Sequence, residues 1–167
     1  TPSVWLKEQV ANSFLKHVNC AVIYNGIDLE KFTVRQDLEL KSKLCPENRK
    51  LVLGVASIWT QNKGFYDFLE LRKKLDDNYL ICMVGLNDAQ MNALPQGIIG
   101  IKRTESIEEL ASCYSLADVF VNMTYEDTFP TTNIEALACG TPVLTYQTGG
   151  SPEIIDEKCG AVVEKGN

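Results

Sequence analysis

Short apolar runs recur along this chain with stretches of helical spacing between them, and this alternation narrows the possible folds more than any other feature. Strand-like runs fall at residues 51–56 (LVLGVA), 79–84 (YLICMV), 98–101, 118–122 (DVFVN), 142–146 and 161–163 (AVV). Helical spacing fills residues 65–75, 106–116, 131–139 and, briefly, 151–156. Ser106 and Glu109 match a capping box, and Gly140 with Pro142 closes the helix begun near Thr131. Continuous apolar strands separated by helices need cover on both faces, so the spacing predicts an α/β fold: a doubly wound, Rossmann-like parallel sheet. Such sheets bind ligands beyond the carboxyl ends of their strands, which is where chemistry-bearing residues are to be sought.

Ahead of this rhythm, residues 3–15 have roughly helical spacing with Ser3 as a cap, and residues 20–24 (CAVIY) read as a short buried strand ended by Asn25-Gly26. Residues 33–50, polar and containing Pro46, read as a surface connection. The chain has 167 residues, enough for one domain with its own core, and stops at Asn167 where a further crossover helix is expected, so it reads as truncated. A formal charge of −6 argues against nucleic-acid binding but leaves anionic small ligands open. No apolar run approaches the ~20 residues of a membrane span, and nothing asks for export, so a cytoplasmic location is expected. Of Cys20, Cys45, Cys82, Cys113, Cys139 and Cys159, none form C-x-x-C pairs, and Cys20, Cys82 and Cys139 sit in apolar runs; reduced thiols are expected. Asn122-Met123-Thr124 has the form of a glycosylation acceptor at the end of a strand and reads as a chance match.

Four strand-end segments can carry chemistry. In 124–142 (TYEDTFPTTNIEALACGTP), a loop with Glu126 and Asp127 precedes a helix starting near Thr131. The open amides and positive dipole end of that helix suit a phosphate, with Thr128 or Thr131 as hydroxyl donors. Glu135, one turn in, can accept two hydrogen bonds from the vicinal hydroxyls of a ribose; the plainer alternative is a solvated helix residue. In 57–64 (SIWTQNKG), Lys63 can neutralise a diphosphate, although most such lysines are simply solvated and no P-loop pattern is present. In 147–154 (QTGGSPEI), two glycines can let the backbone approach a ligand, or form an ordinary turn, and Glu153 is exposed by position. In 101–104 (IKRT), a strand end can offer backbone groups to a nucleobase.

Together these segments resemble the C-terminal, donor-binding domain of family 4 retaining glycosyltransferases of the GT-B fold (glycosyl transferases group 1), over nearly the whole chain. Residues 21–32 (AVIYNGIDLEKF) look like the family's passage into its second domain, Lys63-Gly64 its lysine-glycine loop, 135–143 (EALACGTPV) its helix and strand, and 149–154 (GGSPEI) its next turn. Asp127 and Glu135 fit a paired-acid motif with seven residues between the acids, and Glu126 lies one position out of register.

The resemblance implies that Lys63, Asp127 and Glu135 are catalytic. Lys63 would stabilise the departing phosphate, Asp127 would lie near the donor sugar, and Glu135 would hold the ribose. Donor contacts are implied for Gly64, Arg103, Thr104, Glu126, Pro130, Thr131, Thr132 and Glu135. It further implies hexosyl transfer from a nucleoside-diphosphate sugar with retention and without a metal or other cofactor, in polysaccharide or cell-envelope glycan synthesis. By the same resemblance, residues 1–17 are the tail of an N-terminal domain, 18–50 the interdomain connection, and 51–167 the nucleotide-sugar domain. The glycan or lipid-linked acceptor would be held by that other domain, and the parent could sit peripherally at the inner face of the membrane. This fragment alone would bind donor and transfer nothing.

Two departures stand out: the first acid is aspartate rather than glutamate, and Ile58 occupies the place of an arginine five residues before the lysine. Arg103, a group outside the chain, or Lys63 and the helix terminus alone could make up for it. A non-catalytic nucleotide-sugar-binding module and a GT-B epimerase are the alternative readings.

Overall fold

In a computed structural model of the chain, residues 1–45 and 49–166 are described. The elements run α1 (Val4–Ala11), α2 (Leu38–Leu44), β1 (Lys50–Val55), a 3₁₀ turn (Gln61–Lys63), α3 (Phe65–Lys74), β2 (Tyr79–Val84), α4 (Asp88–Asn92), β3 (Ile98–Ile101), α5 (Ile107–Leu116), β4 (Val119–Asn122), α6 (Thr131–Ala138), β5 (Val143–Tyr146), a second 3₁₀ turn (Ser151–Ile154) and β6 (Gly160–Val163). All six strands are parallel, in the order β3-β2-β1-β4-β5-β6, as the alternation predicts. The order reverses direction between β1 and β4, so their diverging crossovers open a crevice at the carboxyl ends of those two strands.

Each central strand is apolar on both faces because both are covered. Leu51 and Leu53 of β1 join Leu80, Cys82, Phe120, Val143 and the inner faces of α5 and α6 in one core. Val52 joins Ile81, Met83, Val121 and the aromatic cluster of Trp59, Phe65 and Phe68 in the other. Gly54, at the middle of the sheet, leaves room for the Phe68 ring, which would lie 2.4 Å from a β-carbon placed there. All six cysteines are free. Burial pushes the Cys113 thiol up to about 12 and the Cys82 thiol higher still, which makes both poor nucleophiles.

Four expectations need correction. Residues 20–24 form no strand: Ile23 is 76% and Tyr24 53% exposed, and the segment runs along the surface. Its apolar composition mimics a buried strand, but among the described residues it joins no sheet and pairs only with the backbone of Thr1. The first helix ends at Ala11 rather than residue 15, leaving Phe14 exposed. Residues 33–50 are not wholly irregular, because Asp37 caps a short helix, α2, by accepting the Leu40 amide at 2.8 Å; residues 46–48, with Pro46, lie outside the described residues. The Ser106 hydroxyl accepts the Glu109 amide, but Glu109 returns its carboxylate to the Glu105 amide, so the capping box is displaced by one residue. The acceptor-like Asn122 is buried and donates to Asn133 at 2.7 Å, which takes its amide out of solvent.

Candidate functional site

The crevice between the ends of β1 and β4 is a continuous cleft in two parts that share Val55, Ala56, Ser57, Thr131 and Thr132. The larger part, about 560 Å³, is walled by Val84, Gly85, Lys102, Arg103, Thr104, Leu110 and Glu135. The smaller, about 230 Å³, is walled by Lys63, Asn122, Thr124, Asp127, Phe129 and Pro130. Of the residues singled out in the sequence, Lys63, Arg103, Thr104, Asp127, Pro130, Thr131, Thr132 and Glu135 line this cleft, whereas Gly64 and Glu126 do not.

Lys63 reaches the cleft because the segment after β1 is anchored on both sides. Trp59 is buried and donates its indole N–H to the Val84 carbonyl at 2.8 Å. Thr60 then caps the 3₁₀ turn that ends in Lys63. Gly64 follows with φ +77, and a β-carbon there would fall 2.5 Å from Met123 Cβ. Its lack of a side chain thus serves packing against the end of β4, with the backbone in a conformation that favours glycine. The Asn62 carbonyl accepts the Tyr125 amide at 2.8 Å, which ties the lysine loop to the acidic loop.

Asp127 meets Lys63 across the smaller pocket, Oδ2 to Nζ at 2.8 Å, and its other oxygen accepts the Phe129 amide at 3.2 Å. The carbonyl of Asp127 accepts the Gly150 amide at 3.0 Å. The double-glycine turn therefore closes on this chain's own backbone: a β-carbon at Gly149 would sit 1.8 Å from the Asp127 oxygen, and one at Gly150 2.1 Å from that of Thr128. Nor is Glu153 simply exposed. Its two oxygens accept the amides of Val4 and Trp5, each at 2.8 Å, so it caps the N-terminus of α1.

Pro130 begins α6 without any side-chain cap. Thr131 and Thr132, in the first turn, face the cleft, and the buried Asn122–Asn133 hydrogen bond holds this turn over the tip of β4. An uncapped helix start with its positive dipole end beside a lysine is an arrangement suited to anionic oxygens. One turn further in, Glu135 Oε2 accepts the Tyr114 hydroxyl at 2.9 Å. Burial raises the Glu135 carboxyl above its ordinary range, while hydrogen bonds from Tyr114 and Thr131 oppose the rise. A carboxyl raised in the folded state favours folding below its unfolded value and withdraws that support as pH climbs through the folded one. Ionised Glu135 therefore costs stability at neutral pH, and Glu135→Gln is expected to raise stability there. Chemical denaturation at pH 7 and pH 4 checks this; the gain should shrink at the lower pH.

One residue behind the cleft had no legible signal. Tyr114 lies in a helix whose burial alone accounts for an aromatic residue, and its partner is 21 residues away. Ile58, in the place of the expected arginine, is 69% exposed and outside the cleft lining, so Lys63 is the cation of the smaller pocket among the described residues.

A family model described as glycosyl transferases group 1 matches residues 49–167. A D-inositol 3-phosphate glycosyltransferase of Corynebacterium jeikeium is 41% identical over 164 residues, covering 86% of this chain and 39% of that one. Sucrose-phosphate synthase of Thermosynechococcus elongatus shares the fold over the whole chain, with a TM-score of 0.85 at 23% identity, and 45% of its own chain is covered. Anabaena HepE, solved in complex with UDP-glucose, has a TM-score of 0.80 at 17% identity, over 100% of this chain and 50% of its own. The chain spans between 35% and 45% of the length of the curated relatives it matches. With the cleft at the sheet's switch point and a family model matched over most of its length, the chain belongs to the glycosyl transferases group 1 family.

Proposed function

We propose that this chain is the donor-binding part of a glycosyltransferase that moves a hexosyl group from a nucleoside-diphosphate sugar to an acceptor with retention of configuration and without a metal. The observation that carries the reading is the convergence of Lys63, the uncapped start of α6 and Glu135 along one cleft. Laid along it, the base meets the end of β3 at Lys102–Thr104, the ribose hydroxyls meet Glu135, and the diphosphate meets Thr131, Thr132 and Lys63. Breaking the glycosyl–phosphate bond builds negative charge on the leaving diphosphate, and donors already fixed there lower the barrier directly. Asp127, held by Lys63, lies where the sugar would emerge from the diphosphate. Residues 1–17 and 18–50 are the tail of an acceptor-side domain and the connection from it. That domain takes a glycan or lipid-linked acceptor, in polysaccharide or cell-envelope synthesis at the cytoplasmic side of the membrane.

Titrating isotope-labelled chain with UDP, GDP and ADP to millimolar concentration tests this. Amide shifts centred on 60–64 and 127–135 are expected with at least one of them. Silence with all three would remove the donor-site reading. A binding module without transferase activity is favoured by one feature, the exposed Ile58 that leaves Lys63 as the one cation of the smaller pocket among the described residues; transfer measured on the complete protein separates the two.

A further inference from the structure

We propose that Tyr114 is a positioning residue for nucleotide binding: buried in α5, it holds Glu135 in one orientation from behind, with the remaining acceptor sites of the carboxylate turned to the cleft. This rests on the reading of Glu135 as the ribose-binding group. Tyr114 is fully buried, and its hydroxyl donates to Glu135 Oε2 at 2.9 Å. It does not line the cleft, so whatever it contributes passes through Glu135. A buried phenol needs a partner, and here that partner is a functional carboxylate.

The ring is fixed from two sides. Phe120 of β4 meets it edge-on with centroids 5.3 Å apart, and Phe32 does so at 6.3 Å. Phe32 ends the NGIDLEKF segment, so this stretch touches the donor cleft through two rings and one carboxylate. An ionised carboxylate has about four acceptor sites, of which Tyr114 takes one, so enough remain for a vicinal diol. A glutamate already held in one rotamer does not have to be ordered when the nucleotide arrives.

The test is calorimetric binding of UDP and of 2′,3′-dideoxyuridine diphosphate to the chain and to Tyr114→Phe, which keeps the ring and its packing. UDP is expected to weaken about fivefold to tenfold, the scale of one ordinary hydrogen bond, because Tyr114 acts through Glu135 rather than on the ligand. The dideoxy compound, without the hydroxyls that Glu135 would hold, is expected to bind both proteins alike. In the unliganded variant, the Glu135 carboxyl should titrate higher than in the parent chain, because one hydrogen bond opposing its rise is gone. Cys113, Cys139, Arg35, Lys102 and Arg103 face the same region and are unchanged by the substitution. Equal losses for both ligands, or no loss with an unmoved titration, would overturn the role of Tyr114 while leaving the site in place. An unmodified chain that binds neither compound, nor GDP or ADP, would remove the site and this role together.

Discussion

Lys63→Ala in the complete enzyme is expected to lower glycosyl transfer by about 10²–10³-fold, the usual cost of removing one preorganised donor from developing negative charge. Lys63 is the cation of the smaller pocket among the described residues, and no arginine stands at residue 58 to share its work. Its position needs no rearrangement, since the turn after β1 is capped by Thr60 and the ammonium is already held at 2.8 Å by Asp127. The fold should survive the change. The Lys63 side chain is 37% exposed and that of Asp127 21%, and a pair this open to solvent contributes no more than about 1 kcal/mol. The measurement is initial rate with saturating donor alongside a thermal unfolding midpoint. Activity within tenfold of the parent, with the midpoint unchanged, would show that the leaving group is stabilised elsewhere.

Gly149→Ala is expected to destabilise the chain by about 3–5 kcal/mol, in the range reserved for named steric mechanisms. Two costs combine. The residue sits at φ +55, where a β-carbon costs roughly 1–2 kcal/mol. That carbon would also fall 1.8 Å from the Asp127 carbonyl oxygen, a backbone atom that cannot move without displacing the loop bearing Asp127. A variant that still folds should therefore lose nucleotide binding as well. Gly26→Ala, with nothing within 4 Å of the added carbon, is the matched control and should change stability by less than about 0.5 kcal/mol. Urea denaturation of the two variants decides it; a Gly149→Ala midpoint close to that of the control would mean the turn is not locked against the acidic loop.

Glu153 shows why local pattern misleads. Its spacing after two glycines suggests an exposed residue beside a ligand loop, yet it closes the start of a helix 149 positions earlier in the chain. The same limit explains residues 20–24, where composition mimics a buried strand but the segment lies outside the sheet, paired among the described residues only with the backbone of Thr1. Helix α4, five residues long behind its Asn87–Gln90 capping box, is too short for periodicity to register.

The alternation of apolar runs with helical stretches determined by itself that the sheet is parallel, that both its faces are covered, and that Lys63, Asp127 and Thr131 follow strand ends. Those are consequences of local spacing and of the need to bury every strand on two sides. Tertiary structure alone decided that β1 and β4 are neighbours, which puts Lys63 within 2.8 Å of Asp127, that Tyr114 stands behind Glu135, and that the double glycine closes on the acidic loop. Each depends on contacts between residues far apart in sequence, and strand order leaves no periodic trace along the chain.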